Sequence, residues 1–299
     1  MSLNLKYNLS KEVCKIINGI LKVLPTGGKS LPGLIYIRLM GIDNISILEN
    51  DRINTGSIII TGTNGKTTTT TMMIDLLSMD TKISKSVDNN TIYALTTALI
   101  DNSGDLGVFE YGIRDIEHGQ PKTIQKVVNP IGVVYTNISR EHTQVAGVKN
   151  PFNDYLKAKR LLTENMKQGT IVTNADDPFI AHIGKHKEKD LNIIYYGLNL
   201  NISHTIGQIA NCPDCGKPLN YHNHYMNHRG NYYCSCGFKK PELNVQINSL
   251  ETKNNKWIIE IEANTYNQTK NTPIKFKTKI ETPILGLHNL YTTLSAITA

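Results

Sequence analysis

The chain has 299 residues, of which 39% are hydrophobic and 19% charged, enough apolar material to bury a substantial core. The apolar stretch 31–42 is interrupted by Arg38 and is shorter than the roughly 20 residues that a membrane-spanning helix needs. The N-terminus also lacks the charged start, apolar run and cleavage site of a secretory signal. We therefore expect a cytoplasmic globular protein without a membrane span.

The formal charge of +7 comes from scattered lysines, a pattern typical of a solvated surface that would also favour ATP or another anionic ligand. It does not by itself indicate nucleic-acid binding. Of five cysteines, four lie between positions 212 and 236, and Cys14 stands alone. In a reducing compartment this spacing favours a metal site over disulfides.

Apolar runs in the first two thirds of the chain alternate with helix-length polar stretches, which predicts parallel strands joined by crossover helices. The runs are continuous, as expected of strands that are buried on both faces. After the cysteines, apolar and polar residues alternate at 257–261 and 274–280, which predicts half-exposed antiparallel strands. Near the N-terminus we expect one helix, 11–24, followed by a Gly/Pro-rich loop, 25–33. The predicted parallel strands are 57–61, 107–110, 131–136, 170–173 and 192–196.

A glycine-rich phosphate loop is the strongest signal in the sequence. Three isoleucines, 58–60, lead into Thr61-Gly62-Thr63-Asn64-Gly65-Lys66-Thr67-Thr68, a strand followed by a glycine turn and Lys-Thr. The glycines let backbone amides surround a phosphate, Lys66 adds a positive charge, and Thr67 can ligate magnesium at a helix N-terminus. The spacing departs from the common GxxxxGK[ST] form because only Gly62 and Gly65 frame the turn. The predicted nucleotide-binding residues of the loop are Gly62, Thr63, Asn64, Gly65, Lys66, Thr67 and Thr68.

The cysteine cluster predicts a structural zinc site. Cys212 and Cys215 form one close pair, Cys234 and Cys236 form another, and a glycine follows each pair. Two such knuckles suit a tetrahedral thiolate site with no open position for chemistry. The second pair is one residue shorter than the usual CxxC. A histidine could therefore replace one thiolate, the choices being His222, His224 and His228.

At the phosphate loop the sequence resembles a Mur ligase, whose loop is GTNGK[ST], and further segments of that family follow in order. The resemblance implies magnesium on Thr67, Glu110 and His142, a carbamylated Lys159, and Asn289 in contact with adenine. Lys66, Glu110, His142 and Lys159 are thereby the implied catalytic residues. The matching segments are 108–110, 136–139, 141–142, 155–159, 174–178 and 286–289.

Each of these residues also has a plainer interpretation. Glu110 could be an ordinary carboxylate, although a charge at the end of a parallel strand faces the ligand crevice. His142 could be a polar loop residue, Lys159 a helix-surface lysine and Asn289 a helix cap. We include 89–90, two asparagines, as possible phosphate contacts.

The segment 28–33 and the ribbon ending at 237–242 resemble MurT and its archaeal relatives, whereas the segments of His142 and Lys159 look more like amino-acid-adding members such as MurE. The combination resembles an archaeal pseudomurein peptide ligase. The resemblance implies an α/β fold: a P-loop central domain with a mostly parallel sheet, a small antiparallel sheet and an inserted zinc ribbon. We expect a short N-terminal region, 1–52, a central domain, 53–283, with the ribbon at about 205–242, and the start of a link, 284–299, to an absent C-terminal domain.

The implied function is ATP-dependent activation of a carboxylate in a cell-wall peptide precursor as an acyl phosphate, which an amino acid amine attacks. The implied cofactors are ATP, Mg²⁺ and Zn²⁺, and the implied partners are a UDP-linked or lipid-linked precursor and an amino acid, with no nucleic acid. One alternative is a MurT-like subunit that uses ammonia from a glutaminase partner. The others are a zinc-ribbon NTPase that depends on nucleic acid, and a scaffold subunit whose ATP site only stabilises a partner.

Overall fold

The computed structural model of the chain describes residues 2–23, 29–88, 90–139, 151–202, 207–267, 272–283 and 286–299. Its contacts divide the chain into two compact units. The first unit comprises Met1–Gly62, Lys66–Val133 and Arg140–Met166. The second unit comprises Thr63–Gly65, Val134–Ser139 and Lys167–Ala299.

The N-terminal part of the first unit is helical. The predicted helix 11–24 is confirmed as far as Val23 as part of a longer helix, whereas the predicted loop 25–33 is wrong at its end, since Pro32 and Gly33 lie in a second helix; positions 24–28 lie outside the described residues. Its helices are α1 (Leu3–Val23), α2 (Leu31–Met40) and α3 (Ile45–Arg52). Pro32 lies in the first turn of α2, where no backbone amide needs a partner. Gly33 lets α2 approach a later helix, α5 (Ile92–Asp101), because a Cβ at this position would overlap the carbonyl oxygen of Tyr93. Pro32 thus belongs to the start of α2, and Gly33 belongs to the close contact between α2 and α5.

The remainder of the first unit alternates strands and helices, as predicted. The strands β1 (Ile53–Thr61), β2 (Ile83–Ser86) and β3 (Gly104–Glu110) pair in parallel in the order β1-β3-β2. The sequence did not predict β2, which has four residues and buries Ser84 and Ser86. The helices after α3 are α4 (Lys66–Leu77), α5, α6 (Ile116–Gly119), α7 (Pro121–Val128) and α8 (Pro151–Leu161).

Helix α4 buries threonine side chains together with apolar ones. Thr69, Thr70, Met73 and Ile74 are buried, whereas Leu76 is 49% exposed. The Thr70 hydroxyl donates to the Lys66 carbonyl over 2.8 Å. This internal hydrogen bond lets a threonine-rich helix bury polar side chains.

Strand β4 (Gly132–Tyr135) lies where the chain passes from the first unit to the second. In the second unit the strand order is β11-β10-β9-β6-β5, with parallel pairs β5/β6 and β6/β9 and antiparallel pairs β9/β10 and β10/β11. The predicted change from parallel to antiparallel strands is confirmed. The elements of this unit are β5 (Thr170–Asn174), α9 (Pro178–Lys185), β6 (Asn192–Leu198), β7 (Asn220–Met226), β8 (Arg229–Tyr233), β9 (Val245–Lys253), β10 (Lys256–Asn267), β11 (Thr272–Thr282) and α10 (Leu287–Thr298).

In the described part of the chain, no single helix is both long and apolar enough to cross a membrane. The consecutive segments Leu31–Met40 and Ile42–Arg52 reach that length and composition only together, and they are bent by 111°.

Candidate nucleotide and metal sites

The first unit brings Thr67 and Glu110 into contact. Strand β1 leads into the phosphate loop, and its parallel neighbour β3 ends at Glu110, opposite Ile60. The Thr67 hydroxyl donates to Glu110 Oε1 over 3.0 Å, and the backbone amide of Asp88 donates to Oε2 over 2.9 Å. Glu110 is only 2% exposed, so these donors fix its carboxylate. Nothing in the sequence predicts that the Asp88 amide donates to Glu110.

Lys66 begins α4, and burial lowers the pKa of its ammonium group. The nearby negative charge of Glu110 opposes that shift. A partly desolvated cation interacts more strongly with a phosphate than an exposed one does. Its position is therefore suited to a phosphate ligand.

Lys159 of α8 is buried against the end of β1. Its Nζ donates to Thr61 Oγ1 over 3.0 Å and to the Gly62 carbonyl over 3.2 Å, and it lies 5.1 Å from the centroid of the Tyr155 ring. Complete burial lowers its pKa well below the ordinary 10.5, and the positive charge of Lys66 lowers it further. The interpretation of Lys159 as a surface lysine is thus wrong.

The turn Thr63–Gly65 belongs to the second unit, where the segment after β4 holds it. The Thr63 amide donates to the Asn137 carbonyl over 2.8 Å. The Asn137 side chain accepts from the Asn64 amide over 3.2 Å and donates to the Asn64 carbonyl over 2.7 Å. Ser139 N donates to Thr63 Oγ1 over 2.9 Å. These bonds fix the backbone of the turn.

Gly65 has no room for a side chain. Its φ is +78°, and an added Cβ would lie 2.9 Å from Cγ2 of Thr292 in α10. Only glycine adopts this backbone angle without strain. The sequence thus places glycine where the turn requires it.

Of the other predicted site residues, three are described and two lie outside the described residues. Asn289 is the third residue of α10, and its amide donates to the Gly286 carbonyl over 2.9 Å. Thr68 is exposed in the first turn of α4. Among the paired asparagines, Asn90 lies beside Gly112, and the other falls outside the described residues, as does His142.

The segment Asn174–Asp177 organises the second unit. Asp176 accepts from Leu198 N over 2.7 Å and from the Tyr291 hydroxyl over 2.9 Å, and it pairs with Lys240 at 2.5 Å. Asp177 accepts from Ile138 N over 2.8 Å and caps α9. Both carboxylates are fully buried and partnered, so they connect the sheet, α10 and the ribbon.

The cysteines form two similar knuckles. In the first, Gly216 N donates to the Cys212 carbonyl over 2.8 Å, and in the second Gly237 N donates to the Cys234 carbonyl over 3.0 Å. The shorter second knuckle therefore closes one residue earlier by the same kind of bond. The Sγ atoms of Cys212 and Cys236 are 3.6 Å apart, and those of Cys215 and Cys234 are 3.5 Å apart.

This thiol set fits a zinc ion. Tetrahedral thiolate zinc, with Zn–S bonds of about 2.3 Å, separates its sulfurs by roughly 3.8 Å. The backbone amide of Cys236 lowers the pKa of the Cys234 thiol to about 7, whereas burial raises the pKa of the Cys212 thiol to about 12, so Cys234 forms a thiolate more readily than Cys212 does. The three histidines that could have replaced a thiolate have other contacts, since the rings of His222 and His224 stack on tyrosines and His228 pairs with Asp177 at 3.3 Å.

The ribbon packs on the unit that contains it. Its core residues include Cys212, Tyr232 and Phe238, which cluster with Ala181 of α9. The Tyr232 hydroxyl also donates to the Ala175 carbonyl over 3.0 Å. These contacts make the ribbon an integral part of the second unit.

A strand leads into a glycine turn, a helix starts at Lys66 and Thr67, and Thr67 contacts the Glu110 carboxylate. This arrangement defines a nucleotide-binding α/β protein of the P-loop type. The Mur ligase middle domain matches residues 60–227. The chain belongs to the Mur ligase family. Members of this family are ATP-dependent ligases that form amide bonds and use Mg²⁺.

Two similar proteins are subunits named MurT of lipid II isoglutaminyl synthase (glutamine-hydrolyzing). The one from Staphylococcus aureus strain COL is 28% identical over 200 residues, which cover 65% of this chain and 44% of that protein. The one from Streptococcus pneumoniae strain R6 is 27% identical over 282 residues, which cover 90% of this chain and 57% of that protein. The matched part of the chain thus spans about half the length of these relatives.

One solved structure is also similar to this chain. The pseudomurein peptide ligase type C from Methanothermus fervidus matches with a TM-score of 0.66 and 28% identity. The match covers 85% of this chain and 48% of that one.

Proposed function

We propose that this chain is the ATP-handling part of an amide-bond-forming ligase that acts on a cell-wall peptide precursor. The observation that carries the proposal is the contact between Thr67 and Glu110 directly after the Gly-Lys-Thr loop. A hydroxyl and a carboxylate are oxygen ligands of the kind that magnesium prefers, and a bound nucleotide supplies the remaining oxygens. Membership of the Mur ligase family supports the reaction class.

The loop residues Gly62 to Thr68 bind the phosphates of ATP in this proposal, and Asn289 contacts adenine. Lys66 and the loop amides that follow Asn64 stabilise negative charge on the transferred phosphoryl group. The Asn64 amide donates to the Asn137 side chain, and that side chain donates to the Asn64 carbonyl, so the turn is already held in place before the nucleotide arrives. Such preorganisation avoids a cost of ordering the loop on binding.

Thr67, Glu110 and His142 are the proposed magnesium ligands. Magnesium, when bound, neutralises charge on the phosphate oxygens. The Asp88 amide orients the Glu110 carboxylate for this role.

Lys159 is proposed to be carbamylated. Its lowered pKa favours the neutral amine, which reacts with CO₂ to give a carbamate anion and releases a proton. The product is an anion beside the Lys66 ammonium group, so it meets attraction where a protonated Lys159 would meet repulsion.

The proposed reaction has two steps. A carboxylate oxygen of the precursor attacks the γ-phosphorus of ATP, the bond to the β-phosphate oxygen breaks, and ADP leaves. The amine then attacks the acyl carbon of the acyl phosphate, phosphate leaves with the electron pair of the C–O bond, and the amine loses a proton to solvent. Positioning and charge stabilisation are the main contributions of the chain.

The predicted division into 1–52, 53–283 and 284–299, with the ribbon at about 205–242, remains part of the proposal, as does a cytoplasmic location. The four-cysteine site is proposed to bind zinc in a structural role, since it offers no open position.

A second candidate is an amidotransferase subunit that uses ammonia from a glutaminase partner. The observation that favours it is the 27–28% identity to the two MurT proteins, whose name describes a glutamine-hydrolyzing synthase. The two candidates share the acyl phosphate step and differ only in the amine.

The test supplies the protein with ATP, Mg²⁺ and UDP-linked or lipid-linked peptide precursors labelled with ¹⁸O in their carboxylates. Each precursor is combined with an amino acid or with ammonia. An acyl phosphate mechanism transfers one ¹⁸O atom to phosphate and yields an amide of matching mass. Lys66→Ala should abolish both products, whereas Lys82→Ala, a change of an exposed lysine, should not. ATP turnover that rises with DNA or RNA and ignores every precursor would contradict the ligase proposal.

A further inference from the structure

A second group of metal-ligating side chains lies beside the ribbon. His182 and His186 are one turn apart at the end of α9, and Asp214 lies inside the first knuckle, between Cys212 and Cys215. One ligand atom from each of His182, His186 and Asp214 lies within 4.8 Å of the other two. All three belong to the second unit.

The contacts within this group are short. His182 Nε2 lies 2.8 Å from Asp214 Oδ1 and 2.9 Å from His186 Nε2. The two imidazole rings meet edge to face, with centroids 4.2 Å apart. Lys185 Nζ contacts the other carboxylate oxygen, Oδ2, at 3.5 Å, so Oδ1 is left to face the imidazoles.

The three facing atoms meet at His182 Nε2, which carries at most one hydrogen. If His182 donates that hydrogen to Asp214, the His186 nitrogen can only share it. If His182 Nε2 carries no hydrogen, its lone pair faces a carboxylate oxygen at 2.8 Å. A divalent cation instead attracts the lone pairs of all three groups at once.

We propose that His182, His186 and Asp214 form a second metal site, for Zn²⁺, distinct from the four-cysteine site. Two imidazoles and a carboxylate are a ligand set that suits zinc, and three protein ligands leave a fourth position for water. Tetrahedral zinc with bonds of about 2.0–2.1 Å separates its ligand atoms by roughly 3.3 Å. Ligand shifts of a few tenths of an ångström reach that geometry.

The surroundings suit a bound ion. His182 is buried, with 9% of its side chain exposed, and its ring packs edge-on against Phe238 of the ribbon core. His186 and Asp214 are exposed, which gives metal a route from solvent. The ion joins α9 to the first knuckle and thereby fastens the ribbon to the unit that contains it.

The test is a Co²⁺ titration of the chain after its four-cysteine site has been loaded with zinc. The wild type should bind a further equivalent of Co²⁺ with weak d–d absorption and no thiolate charge-transfer band. His186→Gln should weaken this binding at least about tenfold, and so should Asp214→Asn. The control is His222→Gln, which removes an exposed imidazole outside the group and should leave the titration unchanged.

Two outcomes overturn the proposal. One is a wild-type chain that takes up no cobalt beyond the zinc already held by the cysteines. The other is a further equivalent that His186→Gln binds as tightly as the wild type does, which assigns the ion to other groups. His186 is exposed, so the variant is expected to keep its fold.

Discussion

The Thr67 hydroxyl donates a 3.0 Å hydrogen bond to the buried carboxylate of Glu110, 43 residues further along the chain. The Asp88 amide holds the second carboxylate oxygen. The Thr67 hydroxyl oxygen and Glu110 Oε1, both proposed to bind magnesium, are therefore already adjacent and oriented.

Thr67→Val should weaken ATP binding in the presence of Mg²⁺ and change it little in EDTA. Valine keeps the branched shape but removes the hydroxyl, and the loss of one interaction with a charged group is about 1.5–3 kcal/mol, or roughly 10–100-fold in affinity. Titration calorimetry with and without Mg²⁺ measures the difference. Thr71→Val, an exposed change on the same helix, is the control. An equal loss in EDTA would argue against a metal role.

Lys159→Met should stabilise the fold, and most strongly at low pH. The folded pKa of Lys159 is depressed below 10.5, so between these two pKa values the unfolded chain binds more protons. Wild-type stability therefore falls as pH decreases from 10.5 toward the folded pKa, and it levels off below that pKa. Methionine removes this dependence, and the advantage of the variant should shrink as pH rises toward 10.5.

Urea unfolding in bicarbonate-free buffer at several pH values tests this expectation. Lys157→Met, which changes an exposed lysine of the same helix, should show no such pH dependence. A stability difference for Lys159→Met that stays constant across the pH range would show that burial of the ammonium group is not its cause.

Gly65→Ala should destabilise the second unit through two separable effects. The backbone angle of +78° adds about 1–2 kcal/mol of strain, and the new methyl group would press on Cγ2 of Thr292. Thr292→Ser removes that Cγ2 atom and keeps the hydroxyl that donates to the His288 carbonyl. The double variant should recover the steric part of the lost free energy of unfolding and not the strain. Additive effects of the two changes would exclude the contact.

Cys234→Ser should reduce the intensity of the thiolate-to-cobalt charge-transfer band of the four-cysteine site and lower the melting temperature. The loss follows from removal of one ligand at the centre of the ribbon core. Cys14→Ala alters a buried cysteine of α1 and should keep the band. A band of unchanged intensity in Cys234→Ser would show that this thiolate is not a ligand.

The fold was predictable where a short segment of sequence carries its own pattern of apolar residues. Continuous apolar runs predicted the parallel strands, because those strands are buried on both faces. Alternating apolar residues predicted the antiparallel strands, because those are buried on one face. Gly33 was misleading, since its place in a helix depends on close contact with α5, which is some 60 residues away. Pro32 fits the first turn of a helix as well as a loop. Strand β2 has too few apolar residues to produce a signal.

The site was predictable to a similar extent. Glu110 and Thr67 meet because parallel strands end at one edge of a sheet, which the sequence implies. The Asp88 amide is a backbone group with no sequence preference, and the contact of Lys159 with Gly62 joins residues 97 apart. His182 and Asp214 likewise come together only through packing of the ribbon on α9.

The most direct test of the central claim is titration of this chain with ATP in the presence of Mg²⁺, comparing wild type with Lys66→Ala. The account predicts one ATP per chain, dependence on Mg²⁺, and a loss of at least about tenfold in affinity when the lysine is removed. A wild-type chain that binds no ATP, or a Lys66→Ala chain that binds it equally well, would contradict the account.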